Sequence, residues 1–314
     1  MRITSSLLNR VALNDVSAAR QRLARTQEQA SSGLRINRPS DDPVGAGRVA
    51  ALEAEGAAIT QFERVVSGVR GRVGALENSL SETNTLMIRL RELAIQGANG
   101  TQDATTRGLI AKEVESIHGA LLAQANTRFG GAHVFGGFLS ANAPFTATGS
   151  FDPATATTPS VVFSGDANEV QVEIEEGVRV PVTANGQRAF LGDANGDNVT
   201  DPGREDVFAV AQDLWRALVT NNPAGVTATL DRIDRAGSQI AAERSRVGGI
   251  DSSLERAAQG LAKRSVDALQ RTSDLRDADL ARVVSDMVQQ EAALQAGLNA
   301  MGRLVQPTLL DFLR

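Results

Sequence analysis

The nine prolines stand at positions 39, 43, 144, 153, 159, 181, 202, 223 and 307, so residues 44–143 and 224–306 contain none. A proline inside a helix removes one backbone hydrogen bond and clashes with the preceding turn, at about 3 kcal/mol or more. These two stretches are therefore where long helices can run. In the first, Leu52, Ile59, Val66, Val73, Leu80, Met87 and Ala94 recur by sevens, accompanied by Phe62, Val69, Leu76, Thr83 and Leu90. Alternating steps of three and four put one narrow apolar seam on a helix, as in coiled coils and bundles. A helix from about Val44 to about Gln96 would be roughly 80 Å long. Ser40, Asp41 or Asp42 can cap its start, Pro43 suits its first turn, and residues 97–100 end it. Asp103 can then cap a second, antiparallel helix carrying Ile110, Val114, Ile117, Leu121 and Ala125 and stopping near Gly130 and Gly131.

The second stretch repeats the pattern through Val226, Ile233, Ile240, Val247, Leu254, Leu261 and Ala268. Leu275 keeps the phase, and the next apolar line is Leu280, Met287, Leu294 and Met301, flanked by Val284, Leu298 and Val305. The step from 275 to 280 breaks the phase, which rotates the seam and separates two packing units. At the other end a helix over about 5–31 carries Asn9, Val16, Leu23 and Ala30 by sevens, a half-polar seam. Burying one Leu or Val gives about 1.5–3 kcal/mol, whereas ordering each backbone residue costs about 1 kcal/mol or more. Both chain ends are therefore expected to be poorly ordered alone and to fold when neighbouring copies cover them.

Residues 140–204 differ in character. Val170, Val172 and Ile174 alternate, as do Val178, Val180 and Val182, with turns at Glu176-Gly177 and Asn185-Gly186. A helix over about 205–221, with Val207, Phe208, Ala211, Leu214, Trp215 and Leu218, returns to the core. The expected fold is mainly α: a long antiparallel helical coiled-coil rod with a small β insertion forming an outer domain. The divisions are residues 1–42 with 274–314 as terminal helical tails, 43–138 with 205–273 as the rod, and 139–204 as the β-rich outer part.

Composition narrows the function. The chain has no cysteine and two histidines, His118 and His133, which disfavours thiolate chemistry, a His-rich metal site or a Ser-His-Asp triad. The net charge of −5 arises from interspersed acids and bases, without the basic stripe that nucleic-acid binding uses. No apolar run reaches the ~18 residues needed to span a bilayer, and the first residues do not read as a secretory signal peptide. Enzymes, nucleic-acid binding and membrane insertion are disfavoured, and no cofactor is expected.

The most chemical motif is Asp193, Asn195, Asp197 and Asp201, at positions 1, 3, 5 and 9 of a calcium-type loop. Position 12 is Arg204 and position 6 is Asn198, where a bidentate carboxylate and a glycine belong. The loop is read as a polar turn, with a weak ion site as the alternative. Gly130, Gly131, Gly136 and Gly137 are read as close packing at a helix-to-β junction. His118 and His133 are read as structural and Trp215 as core, while Glu53, Glu55, Glu77, Glu92 and Glu113 are taken as solvated helix faces.

Four segments carry a resemblance: SSGLRINRPSDDPVGA (31–46), RLRELAIQGANGT (89–101), RFGGAHVFGGFLSANAPF (128–145) and the last 42 residues from SDLRDADLARVV onward. Together they resemble the hook-filament junction family within the flagellin superfamily; the RPSDDP variant stands where flagellins usually have a KDDAAG-like run. The match spans about two thirds of the chain and leaves out 146–204. The resemblance implies a structural, non-catalytic adaptor exported by the flagellar type III apparatus. It would lie outside the cell as a homo-oligomeric ring between hook-associated protein 1 (FlgK) and flagellin, with an export chaperone on its C-terminal tail. It also implies assembly contacts on Leu7, Leu8, Val16, Leu23, Leu280, Met287, Leu294, Leu298, Met301 and Leu310, and an elbow held by Arg35, Asn37, Asp41 and Asp42. The rival expectations are a flagellin filament subunit and a secreted calcium-dependent binding module.

Overall fold

In the computed structural model, which describes residues 5–304, each proline-free stretch holds one long helix followed by a shorter one. The chain runs α1 (Ser5–Ser32), α2 (Pro43–Ala98), α3 (Ala104–Ala125), β1 (Arg128–Phe129), β2 (Ala132–His133), β3 (Phe145–Thr148), β4 (Ser160–Phe163), β5 (Gln171–Glu175), β6 (Val178–Pro181), α4 (Val207–Val219), α5 (Pro223–Arg276) and α6 (Leu280–Leu304). The described residues form two compact units, 5–60 with 262–304 and 61–261. The fold is mainly helical with small antiparallel strand pairs.

In the unit formed by 61–261, both heptad lines are buried. Val66, Val73, Leu80, Met87 and Ala94 of α2, with Val226, Ile233, Ile240, Val247 and Leu254 of α5, are almost wholly removed from solvent. Ion pairs Arg70–Glu255, Arg244–Glu77 and Arg91–Asp234 fix α2 and α5 as antiparallel partners. The polar heptad position Thr83 is buried and returns its hydroxyl to Ser79 O, 2.8 Å away. Ser79 in turn donates to Gln124 O of α3 at 2.8 Å. Asp103 caps α3 as expected, its carboxylate accepting from Thr106 N at 2.7 Å.

Three local expectations are corrected. Helix α3 ends at Ala125, not near Gly130, because Asn126 holds Phe145 at both backbone groups: its amide donates to Phe145 O at 2.8 Å and accepts from Phe145 N at 3.0 Å. Gly130 and Gly131, both at positive φ, turn the β1–β2 hairpin instead. Asn185-Gly186 is not a strand turn; it opens a π-helical turn over Gln187–Leu191. Strands β5 and β6 pair as the alternation predicts, with a bulge between Glu173 and Glu175. The β3–β4 hairpin has no forerunner in the sequence reading.

The insertion packs on the helices through aromatic rings. Phe145 lies 5.5 Å from both Phe190 and Phe208, Phe135 meets Phe190 edge-on at 5.1 Å, and Phe151 lies 4.8 Å from Trp215. Such pairs add about 0.5–1.5 kcal/mol each beyond area burial. His118 is buried among them, 5.1 Å from Phe151 and 5.8 Å from Phe208, with Gln212 Nε2 3.1 Å from its Nε2. Glu53, Glu77, Glu92 and Glu113, taken as solvated faces, are paired with Arg276, Arg244, Arg89 and Arg89.

Arg107 closes the end of this unit. It is buried, and its guanidinium donates to Gly97 O at 2.9 Å, to Asn99 O at 3.0 Å and to the side-chain oxygen of Asn221. One side chain thus holds the α2–α3 turn and the α4–α5 turn together. Arg107→Met would leave three acceptors without it, each worth about 1–3 kcal/mol when buried and unmet. A clear fall in Tm, by several degrees, is expected in thermal unfolding.

Burial lowers the His118 imidazolium to about 4. In the unfolded chain histidine titrates near 6.5, so between these values the unfolded state binds the extra proton. The contribution is fully present above pH ~6.5 and is lost as pH falls toward ~4, on the order of 3 kcal/mol. His118→Phe should therefore show a flatter decline of denaturation midpoint over that window than the wild type. Equal slopes in the two proteins would refute it.

Candidate assembly surface and elbow

In the other unit α1 and α6 pack antiparallel. On α1 the half-buried or buried positions Ala12, Val16, Ala19, Leu23, Thr26 and Ala30 follow a four-three alternation, with Gln29 half-buried beside the last. On α6 they are Val283, Met287, Gln290, Leu294, Gly297 and Met301. A methyl group on Gly297 would stand 3.8 Å from Val16, and Thr26 donates to Gln290 Oε1 at 2.8 Å. The weak seam of each terminus is covered, in part, by the other. An open cleft between Ala12, Val16, Ala19 and Leu294, Gly297, Met301 remains.

The expected contact residues fall into two sets. Val16, Leu23, Met287, Leu294 and Met301 line the seam between α1 and α6. Leu280 and Leu298 do not: they are 53 % and 41 % exposed and share a second, adjacent face of α6 with Val284 and Val288. The line of sevens therefore begins at Leu280 on one face and continues on another, because the partner helix selects Val283 as the first seam residue. Val11 and Leu13 of α1 are exposed as well. Leu7 and Leu8 stand in the first turns of α1, with side chains outside the described residues, and Leu310 lies outside them altogether.

The elbow residues are brought together by the two helix breaks, which pair with each other. Leu34 and Asp277 form an isolated antiparallel bridge. Arg35 N donates to Arg276 O at 2.6 Å, and Ala278 N to Gly33 O at 2.9 Å. The Arg35 guanidinium donates to Leu275 O and lies 3.5 Å from Asp42 Oδ2. Asp42 caps α2 by accepting from Gly45 N at 2.8 Å, and this bond, with Arg35 beside it, holds its carboxyl below the usual range. Asp41 accepts from Arg38 N at 2.9 Å, and Asn37 donates to Leu34 O at 3.2 Å. Gly45 has no room for a side chain: a Cβ would lie 2.4 Å from Asp42 Oδ2 and 2.7 Å from Ile36 Cδ1. Arg276 adds a pair with Glu53 at 2.6 Å.

The Asp193–Asp201 loop directs its carboxylates onto its own backbone. Asp193, buried, accepts from Gly196 N at 2.6 Å and Asn198 N at 2.7 Å. Asp197 accepts from Val199 N at 2.8 Å, Asp201 from Ala194 N at 2.8 Å, and Asn195 from Asp197 N at 3.0 Å. These are the bonds of successive polar turns. Among the described residues no three acidic or histidine side chains gather as metal ligands would.

Sequence reading missed the ion network that fastens the insertion to α5. Arg188 bonds Glu243 at 2.6 Å and Glu169 at 2.8 Å, and Arg246 reaches Glu169 at 2.5 Å. Glu205, mostly buried, receives Arg232 at 2.9 Å and Arg235 at 2.5 Å, and Gln239 donates to Ala189 O at 2.9 Å. The only signal in the sequence was an excess of arginine, which carries no pairing information.

The chain is 28 % identical over 271 residues to the flagellar filament 41 kDa core protein of Borreliella burgdorferi, covering 80 % of each. It is 23 % identical to flagellar hook-associated protein 3 of Escherichia coli, covering 96 % of each. Its fold is like that of the crystal structure of the flagellar junction protein FlgL from Legionella pneumophila: TM-score 0.57 at 17 % identity, over 74 % of this chain and 100 % of that one. Residues 3–139 match the bacterial flagellin N-terminal helical region and residues 230–313 the bacterial flagellin C-terminal helical region. All of α2, and α5 from residue 230 on, lie within these two matches, which together span more than half of the chain, and the chain belongs to the bacterial flagellin family.

Proposed function

We propose that this protein is a structural adaptor of the bacterial flagellum, forming the junction zone between hook and filament. The supporting observation is that the likeness to hook-associated protein 3 of E. coli runs through 96 % of both chains, insertion included. In this reading copies of the chain form a ring that meets hook-associated protein 1 on one side and flagellin on the other. The protein is not an enzyme; it works by contact. Export through the flagellar type III apparatus, with a chaperone on the C-terminal tail, places it outside the cell.

The mechanism follows from the terminal helices. The α1–α6 pair buries one weak seam and leaves Leu280, Val284, Val288 and Leu298 in water. At ~25 cal/mol per Å2 these side chains gain most when covered by sister chains, so ordering of the tails and assembly reinforce each other. A filament-subunit reading is favoured by the 28 % identity to a filament core protein. Immunogold labelling separates the two: a short zone at the end of the hook supports the adaptor, and staining along the whole filament supports the rival.

Met287→Asp or Leu294→Asp should leave residues 61–261 folded, with an unchanged melting transition, yet remove the protein from isolated flagella. Normal incorporation of either variant would overturn the role given to the tails.

A further inference from the structure

Asparagine is followed by glycine three times, at 99–100, 185–186 and 195–196. In such a pair no side chain shields the glycine nitrogen. Once deprotonated, that nitrogen can attack the asparagine side-chain carbon and close a cyclic imide. The reaction needs a free glycine N–H, an amide nitrogen free to leave, and solvent at both. Asn185 lacks these conditions: it is buried, its Nδ2 donates to Ala167 O at 3.1 Å and its Oδ1 accepts from Arg188 N at 3.1 Å. Asn195 is exposed, but Gly196 N donates to the buried Asp193 carboxylate at 2.6 Å, whose negative charge opposes loss of that proton. Its amide nitrogen is held as well, by Asp197 Oδ2 at 3.2 Å.

The turn from α2 to α3 is arranged differently. Asn99 and Gly100 are both exposed, and among the described residues neither Gly100 N nor Asn99 Nδ2 has an acceptor. Asn99 Oδ1, where negative charge collects as Gly100 N adds to Cγ, already receives Thr101 N at 3.1 Å and Thr101 Oγ1 at 3.0 Å. Donors placed at such an oxygen stabilise the tetrahedral intermediate. The second carbonyl of the imide would be Asn99 O, which receives Arg107 Nη2 at 3.0 Å and Gln102 N at 3.1 Å.

We infer that Asn99 is a deamidation site of this chain, and that Arg107 directs its product toward isoaspartate. Gly100 N gives up its proton to solvent base and bonds to Asn99 Cγ. The Cγ–Nδ2 bond breaks, and Nδ2 takes a proton from water and leaves as ammonia. One water then opens the imide, so the net change is one water consumed and one ammonia released. Opening at Cγ gives aspartate. Opening at the main-chain carbon gives isoaspartate and frees an α-carboxylate from the carbonyl to which Arg107 donates. That neutral acceptor becomes a charged one, and the bond from the guanidinium strengthens.

The test incubates the full chain in mildly alkaline buffer, folded and in urea, and follows positions 99, 185 and 195 by peptide mass spectrometry. An isoaspartate-specific methyltransferase reports the isomer. In the folded protein Asn99 should convert at least fivefold faster than Asn185 or Asn195, and in urea the three rates should converge. Equal rates in the folded protein, or Asn195 leading, overturn the site; the same ranking in urea shows that the fold does not set it and overturns the inference too. Gly100→Ala adds a Cβ that meets nothing within 4 Å, at a residue whose φ is not positive. It should keep the Tm and slow conversion at Asn99 at least fivefold, and unslowed conversion would overturn the imide route. The isoaspartate share at position 99 should be higher from folded than from urea-treated protein. An equal share overturns the part given to Arg107.

Discussion

A helix with a single narrow apolar seam cannot be stable by itself in water; it needs a second seam of the same length laid along it. Everything else in this protein follows from satisfying that need. Helix α5 supplies the seam for α2 in residues 61–261, and α3 and α4 widen the core on one side. The order of the chain then requires the segment between α3 and α4 to leave and return at the same end, which is where the β hairpins and the aromatic cluster are found. A bundle of this kind gives strength along its axis from many equivalent layers, so no single side chain is indispensable, in keeping with a mechanical part.

Polar groups do a different job. Arg107 unites two turns, Arg35 and the paired breaks unite two others, and Arg188, Arg246 and Glu169 fasten the insertion to α5. In each case the arginine fork takes two or more acceptors from segments far apart in sequence. Apolar seams specify which helices lie together; these forks specify where the chain turns. Isolated surface pairs such as Arg38–Glu28 add little by comparison.

The legible part of the fold was the periodic part. Heptad positions from Ile59 to Ala94 and from Val226 to Ala268 are buried as their spacing implied, because a seam is a local property repeated many times. Caps were legible for the same reason: Asp103 and Asp42 each act within three residues. The β3–β4 hairpin was not, since FTAT and SVVF are four-residue strands whose end residues, Phe145 and Phe163, turn to an aromatic cluster assembled from distant segments. Of the elbow residues, Asp41 and Asp42 were legible as candidate caps ahead of Pro43, whereas Arg35 and Asn37 came only with the family resemblance. On α6 the sequence offered two apolar faces in succession, and only the presence of α1 decides that Val283, Met287, Leu294 and Met301 go inward while Leu280 and Leu298 stay out.

The hydroxyl of Thr26 and the amide of Gln290 meet in the middle of an otherwise apolar seam. Were α6 to slide by seven residues, Thr26 would face Val283 or Gly297 and the bond between the helices would be lost, about 0.5–1.5 kcal/mol, leaving the hydroxyl only Arg22 O of its own helix, 3.0 Å away. Alanine and glycine neighbours alone would tolerate such slippage. The terminal hairpin is thereby keyed to a single alignment, so that every copy entering an assembly presents the same apolar edge at the same height.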